Sequence, residues 1–281
     1  MDRDWRLRDR VRTEAGEVAY GVYGEGSPVV LVHGTPSRSC IWRGVARRLA
    51  GRHAVYVYDL PGFGESERHE GQDVSIAAQG RVLAELVEAW GLEGPAVAGH
   101  DIGGGIVLRA HLLEGVPFRK ISLLDAVVLT PWGTPALAHV KEHLGAYRTM
   151  PADVFEAYVA ARLRETTGRP MDEGAFGSYL SQWRGPEGRA AYLRKDAALA
   201  ERDTAEVERR LGDVRVPVGV VWGEEDTWLD PSQAKTLAGK IPGAELRFVP
   251  GAGHFVMEDA PEEVAEILAE FFGVLREAAW R

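Results

Sequence analysis

The chain has 281 residues, 45% of them hydrophobic and 27% charged, the balance of an ordinary soluble globular enzyme. Its formal net charge of −9 argues against nucleic acid or an anionic membrane as partner, since both select a basic surface. A single cysteine, Cys40, excludes an internal disulfide. No apolar run approaches the roughly 18 residues needed to span a bilayer, and the first residues lack the apolar core of a secretory signal. A cytoplasmic protein acting on a small molecule is expected, without nucleic acid or membrane as partner; oligomeric state is not legible.

The basic residues at the start (Arg3, Arg6, Arg8, Arg10 and Arg12) alternate with Asp2, Asp4 and Asp9 and read as a solvated edge. Short apolar runs then alternate with helical patterns, as βαβ units of a mostly parallel sheet do. Strands are expected over Val18–Tyr23, Val29–His33, Ala54–Tyr58, Ala96–Gly99 and Ile121–Leu124. Between them, Ile76 to Trp90 places Ile76, Val82, Leu83, Leu86, Val87 and Trp90 largely on one helical face. Residues 132–212 carry no buried-strand run and are rich in Ala, Arg, Glu and Tyr, which predicts an inserted helical cap. Strand patterns resume at Val216–Trp222 and Leu246–Val249, and a closing helix with Pro261 near its start runs to about Ala279. The expected class is α/β, with residues 1–131 and 213–281 forming the core around the cap.

The stretch Gly99-His100-Asp101-Ile102-Gly103 has the form of a nucleophile elbow with an aspartate at its tip. The turn is so sharp that small residues must stand two before and two after the nucleophile, as Gly99 and Gly103 do. A carboxylate is already ionised near neutral pH, whereas a serine must first be deprotonated. Attack on an acyl group gains little, because the product is an anhydride. Attack on a saturated carbon bearing a leaving group makes a stable ester, so Asp101 points to displacement at carbon.

Three further segments fit the same chemistry. His33-Gly34-Thr35-Pro36 ends a strand, and with the elbow downstream its Thr35 N–H and that of Ile102 are the expected oxyanion donors. Gly251-Ala252-Gly253-His254 follows the last strand, and His254 takes the place of the base. The acid that orients it is Asp226, closing Trp222-Gly223-Glu224-Glu225-Asp226, or Asp125, closing Ile121-Ser122-Leu123-Leu124-Asp125; both follow strands. The turn Asp59-Leu60-Pro61-Gly62-Phe63-Gly64-Glu65-Ser66 is read as structural, with Phe63 a candidate for the pocket floor.

These motifs together resemble the α/β-hydrolase superfamily, in particular its epoxide hydrolase and haloalkane dehalogenase branch. The resemblance implies an α/β-hydrolase fold with a helical cap, an Asp nucleophile and a covalent alkyl-enzyme ester. Within that branch the acid stands at either position named above. Haloalkane dehalogenases usually place Trp after the nucleophile and often Asn at the position of Thr35, as halide donors. Here Ile102 and Thr35 stand there, so a halide would need Trp132, Trp183 or His143. In epoxide hydrolases cap tyrosines donate to the leaving oxygen; among Tyr147, Tyr158, Tyr179 and Tyr192, Tyr147 and Tyr192 lie nearest the expected places.

An epoxide hydrolase-like enzyme is therefore the first expectation. A haloalkane or haloacid dehalogenase is the alternative, with Arg109 a candidate for a substrate carboxylate. A non-catalytic small-molecule receptor would have lost part of the nucleophile, acid and base set. An unusual hydrolase or lyase using Asp101 in another way is a fourth reading. No metal spacing or dinucleotide fingerprint is present, and no cofactor is expected.

Overall fold

A computed structural model describes residues 5–273. Eight strands form one sheet in the order β1-β2-β4-β3-β5-β6-β7-β8. They are β1 (Asp9–Thr13), β2 (Gly16–Tyr23), β3 (Ser27–Val32), β4 (His53–Tyr58), β5 (Ala96–His100), β6 (Lys120–Leu124), β7 (Val218–Gly223) and β8 (Glu245–Val249). Pairing is parallel from β4 across to β8, and antiparallel where β2 meets β1 and β4. A parallel strand is covered on both faces and so reads as an unbroken apolar run. This is why β3, β5, β6 and β7 stand within two residues of their expected positions.

Strand β1 was not expected. Its charges suit a sheet edge, where they discourage pairing with another chain. Arg10 faces Glu17 and Glu65, and Arg12 reaches Glu67, so the basic residues described here form ion pairs across the edge.

The helices flanking the sheet are α1 (Arg43–Leu49), α2 (Ile76–Ala89) and α3 (Ile102–Leu112). Six more lie between β6 and β7: α4 (Pro135–Glu142), α5 (Leu144–Thr149), α6 (Ala152–Arg164), α7 (Glu173–Ser181), α8 (Gly185–Ala198) and α9 (Glu201–Glu208). The chain closes with α10 (Ser232–Lys240), α11 (Val256–Asp259) and α12 (Pro261–Phe272). The expected extension of the last helix towards Ala279 lies outside the described residues.

Local signals set several boundaries. Ser75 caps α2 by accepting from Ala78 N–H, and Asp172 caps α7 by accepting from Ala175 N–H. Pro135 and Pro261 open their helices, where proline's missing N–H costs nothing. Among the described residues no helix is long and apolar enough to cross a membrane.

The turn from β5 into α3 is closely packed. A Cβ on Gly99 would stand 2.3 Å from the Gly103 carbonyl oxygen, and one on Gly103 would stand 2.6 Å from that of Val32. Both neighbours are backbone and cannot rotate away. Gly99→Ala is accordingly expected to lose at least about 2 kcal/mol in urea unfolding, at the upper part of the usual overpacking range. An unchanged midpoint would show that the turn has room to spare.

Candidate active site

Asp101 sits at the tip of that turn with φ 54° and ψ −125°. Non-glycine residues seldom adopt positive φ, and holding one there costs on the order of 1–3 kcal/mol. The surroundings enforce it. Val127 N–H and Gly104 N–H both donate to the Asp101 carbonyl, at 2.9 and 3.0 Å. Gly34 leaves the space that the side chain needs, since a Cβ there would lie 2.4 Å from Asp101 Cβ.

The two carboxylate oxygens of Asp101 have separate tasks. Oδ1 accepts a very short hydrogen bond from Ile102 N–H and a longer one, 3.4 Å, from Thr35 N–H. Oδ2 lies 3.2 Å from His254 Nε2. The structure thus brings the expected nucleophile, base and both oxyanion donors together.

His254 Nδ1 donates to Asp226 Oδ2 at 2.9 Å. Asp226 Oδ1 is held in turn by the N–H groups of Trp228 and Leu229, at 2.8 and 3.0 Å. Burial opposes charge on both partners. The charge of the Asp226 carboxylate and the imidazole's hydrogen bonds to both aspartates overcome it and raise the His254 pKa well above its ordinary 6.5. On Asp226, the imidazole and the two backbone donors hold the carboxyl below its ordinary value despite burial.

Asp125, the other candidate acid, does not bond to the imidazole. Its Oδ1 accepts from Gly223 N–H at 2.8 Å, and its Oδ2 has no hydrogen-bond partner. Burial first, and then the Asp226 charge, push its pKa well above the usual carboxylate range. Asp125, Asp226 and His254 bring ligand atoms within 4.8 Å of one another. A buried acid of raised pKa beside a histidine engaged through Nδ1 is a poor donor set for a metal ion.

The neighbouring histidines are neutral and structural. His100 Nε2 donates to the His254 carbonyl at 2.8 Å, and burial draws its pKa down to about 3. His33 accepts from Leu60 N–H at 2.9 Å and, with burial, is also pulled below its ordinary value. Asp59, in the turn read as structural, accepts from Ser39 and Glu65 N–H groups at 2.8 and 2.7 Å.

Above Asp101 a cavity lies between the sheet and the inserted helices. Its floor includes Thr35, Asp101, Ile102 and His254; its roof includes Tyr158 and Arg162 from α6 and Tyr192, Lys195 and Asp196 from α8. The phenol pKa values rise with burial, Tyr158 to about 12 and Tyr192 well above 10, so both are neutral hydrogen-bond donors.

Several expected pocket residues stand elsewhere. Tyr147 is absent from the lining; it packs edge-on to Tyr158, at 5.2 Å between ring centres. Phe63 and Trp183 pack edge-on to each other at 5.5 Å behind the cavity wall, and the Trp183 N–H donates to Pro36 O at 2.9 Å. Trp132 does line the cavity, but its N–H is committed to Thr204 Oγ1 at 2.7 Å. His143 is half-exposed beside Glu142, away from the cavity. Arg109 is buried under α9, donating to Asp203 O and Glu206, and cannot receive a substrate carboxylate.

Sequence reasoning named Tyr158 among the cap tyrosines but placed Tyr147 ahead of it, and it missed Trp228, Arg162 and the Lys195–Asp196 pair. Trp228 stacks on His254 with ring centres 5.3 Å apart. Its position two residues after Asp226 was a signal, because that loop has to reach the histidine.

A family model for the alpha/beta hydrolase family matches residues 29–267. The chain belongs to that family. A crystal structure of an alpha/beta hydrolase fold protein from Burkholderia ambifaria is 38% identical, with TM-score 0.92, covering 95% of this chain and 98% of that one. Haloalkane dehalogenase 2 of Mycobacterium tuberculosis is 28% identical over 271 residues, 92% of each chain. A thermophilic esterase from Thermogutta terrifontis shares the fold, with TM-score 0.76 at 23% identity over 94% of this chain and 98% of that one.

The charge pattern yields a substrate-free prediction. In NMR titration the His254 imidazole should titrate above its ordinary value. Asp101→Asn and Asp226→Asn should each lower it, because each removes a negative charge that favours the imidazolium. Asp125→Asn exchanges one neutral group for another and should leave it nearly in place. A large fall in Asp125→Asn would mean that Asp125 is ionised.

Proposed function

We propose that this α/β-hydrolase works through an alkyl ester on Asp101, and that epoxide opening is the reaction its site fits best. The observation that carries the reading is the carboxylate itself: Oδ1 held by two N–H groups and Oδ2 facing both His254 and a roof with two phenols. Residues 132–212 act in this reading as a cap that excludes water and sets pocket shape.

Asp101 Oδ2 attacks an epoxide carbon, and the C–O bond of the ring breaks. Tyr158 and Tyr192 donate hydrogen bonds to the departing oxygen. Alkylation removes the negative charge of Asp101, one of the groups that raise the His254 pKa. The imidazole then releases its proton more readily and becomes a competent base. It takes a proton from water, which attacks the ester carbon Cγ. Charge develops on Oδ1, already within reach of Thr35 and Ile102 N–H. The bond from Cγ to Oδ2 breaks as the imidazolium gives its proton to Oδ2, and the product leaves as an alcohol carrying the former Asp101 oxygen while the regenerated carboxyl group gives up its proton. Asp226 holds the ring and stabilises the imidazolium throughout.

Because the base must be neutral, ester hydrolysis should slow as pH falls through the imidazole pKa of the intermediate.

A carbon–halogen substrate is the second reading. The Mycobacterium dehalogenase supports it, as does the Trp228 indole N–H, which is buried without a partner in a residue that lines the cavity. Trp132, Trp183 and His143 do not supply the halide donors that this reading first called for.

The test is to trap the intermediate. His254→Gln, mixed with terminal epoxides and with 1-haloalkanes, should gain the intact mass of one alkyl group, placed on Asp101 by peptide mapping. Adduct from epoxides supports the first reading, and adduct with halide release supports the second. Turnover without adduct, or full activity in Asp101→Ala, would refute both.

A further inference from the structure

Helix α8 buries an ion pair that the steps above leave unused. Lys195 Nζ lies 2.5 Å from Asp196 Oδ1, and the two residues are only 5% and 3% exposed. Adjacent side chains on a helix ordinarily diverge; these two converge on the cavity that Asp101 also lines. A buried ion pair seldom improves stability over apolar residues of similar size. Ala191, Tyr192 and Leu193 fill the same buried face of α8, so apolar packing there is feasible. The pair therefore calls for a reason in chemistry.

Lys195 Nζ sits 3.8 Å from the centre of the Tyr192 ring, one of the two phenols in the roof. The groups acting on it come from three elements: Asp196 on its own helix, Arg162 on α6, and Asp101 at the elbow. Arg162 is already engaged, paired with Glu165, bonded to Thr134 Oγ1 at 3.1 Å and stacked 4.3 Å over the Trp228 ring. Among the described residues Lys195 has Asp196 as its hydrogen-bonded partner, which leaves donors of its ammonium for a bound molecule.

Resting on the epoxide reading, we propose that Lys195 protonates the oxygen that leaves the opened ring, with Asp196 holding it in position. The ring C–O electron pair moves to oxygen, which takes a proton from the Lys195 ammonium and becomes a hydroxyl. Lys195 is left as a neutral amine. Ester hydrolysis then releases one proton through His254, and solvent returns one to the amine, so the cycle consumes one water. Tyr158 and Tyr192, as neutral phenols of raised pKa, orient the oxygen but part with their protons reluctantly. Burial lowers the Lys195 pKa, which makes the ammonium the readier acid, although Asp196 opposes the shift.

The test measures the single-turnover rate of ester formation in His254→Gln by quenched-flow mass analysis. It compares an epoxide with an alkyl bromide of the same chain length, because bromide leaves without a proton. Adding Lys195→Met should slow the epoxide about 100-fold, as loss of a general acid does, and change the bromide by no more than about fivefold. With Lys195 intact the epoxide rate should fall as pH rises through the Lys195 pKa, and Lys195→Met should abolish that fall. Lys195→Arg keeps the cation but scarcely gives up a proton, and should be nearly as slow. Equal slowing of both substrates, an unaffected epoxide rate, or recovery in Lys195→Arg would overturn the proposal. Absence of adduct from any substrate with Lys195 intact would instead defeat the ester reading on which it rests. Asp196→Asn, checked by thermal melting, should reproduce the epoxide defect in part; a full epoxide rate there would remove the positioning role.

Discussion

The site depends on one strained residue. Asp101 is held at positive φ where β5 turns into α3, and four glycines make the turn possible. Gly99 and Gly103 let the two arms of the turn meet, Gly34 clears the side chain, and Gly104 fits against Ala126, where a Cβ would lie at 2.5 Å. The strain is maintained by the buried sheet around it. Its result is a carboxylate at the end of a parallel strand with both oxygens already assigned.

A second constraint is the charge around His254. Two buried carboxyl groups stand close to one imidazole, and both cannot be ionised cheaply. The structure resolves this by giving Asp226 the imidazole N–H and two backbone N–H groups, while Asp125 keeps one backbone donor and a raised pKa. The histidine is therefore most basic while Asp101 is charged and less basic once Asp101 is esterified. The same geometry thus suits an ion pair in the resting enzyme and a general base in the intermediate.

Much of this was readable in the residues. The parallel strands are apolar runs, and the elbow, the His254 loop and the inserted helices all follow from spacing and glycine placement. Strand β1 was hidden because an edge strand carries charges that resemble a solvated tail. The choice between Asp226 and Asp125 was open because both follow strand ends. In the structure a loop curls Asp226 onto His254, while Gly223 N–H takes Asp125. The cap was least legible. Tyr147, Trp183 and Phe63 were reasonable choices by position, but helix packing turns them behind the wall and presents Tyr158 instead. Lys195-Asp196 drew no expectation, since nothing in a short helical stretch says which face another layer will cover.

The most direct test of the account is a single turnover in heavy-oxygen water with excess enzyme and an epoxide substrate. Ester hydrolysis at Cγ predicts that the label enters the Asp101 carboxylate and that the first diol released is unlabelled. Heavy oxygen in the diol from that first turnover, with none in the Asp101 peptide, would mean that water attacks the substrate directly and that no ester forms.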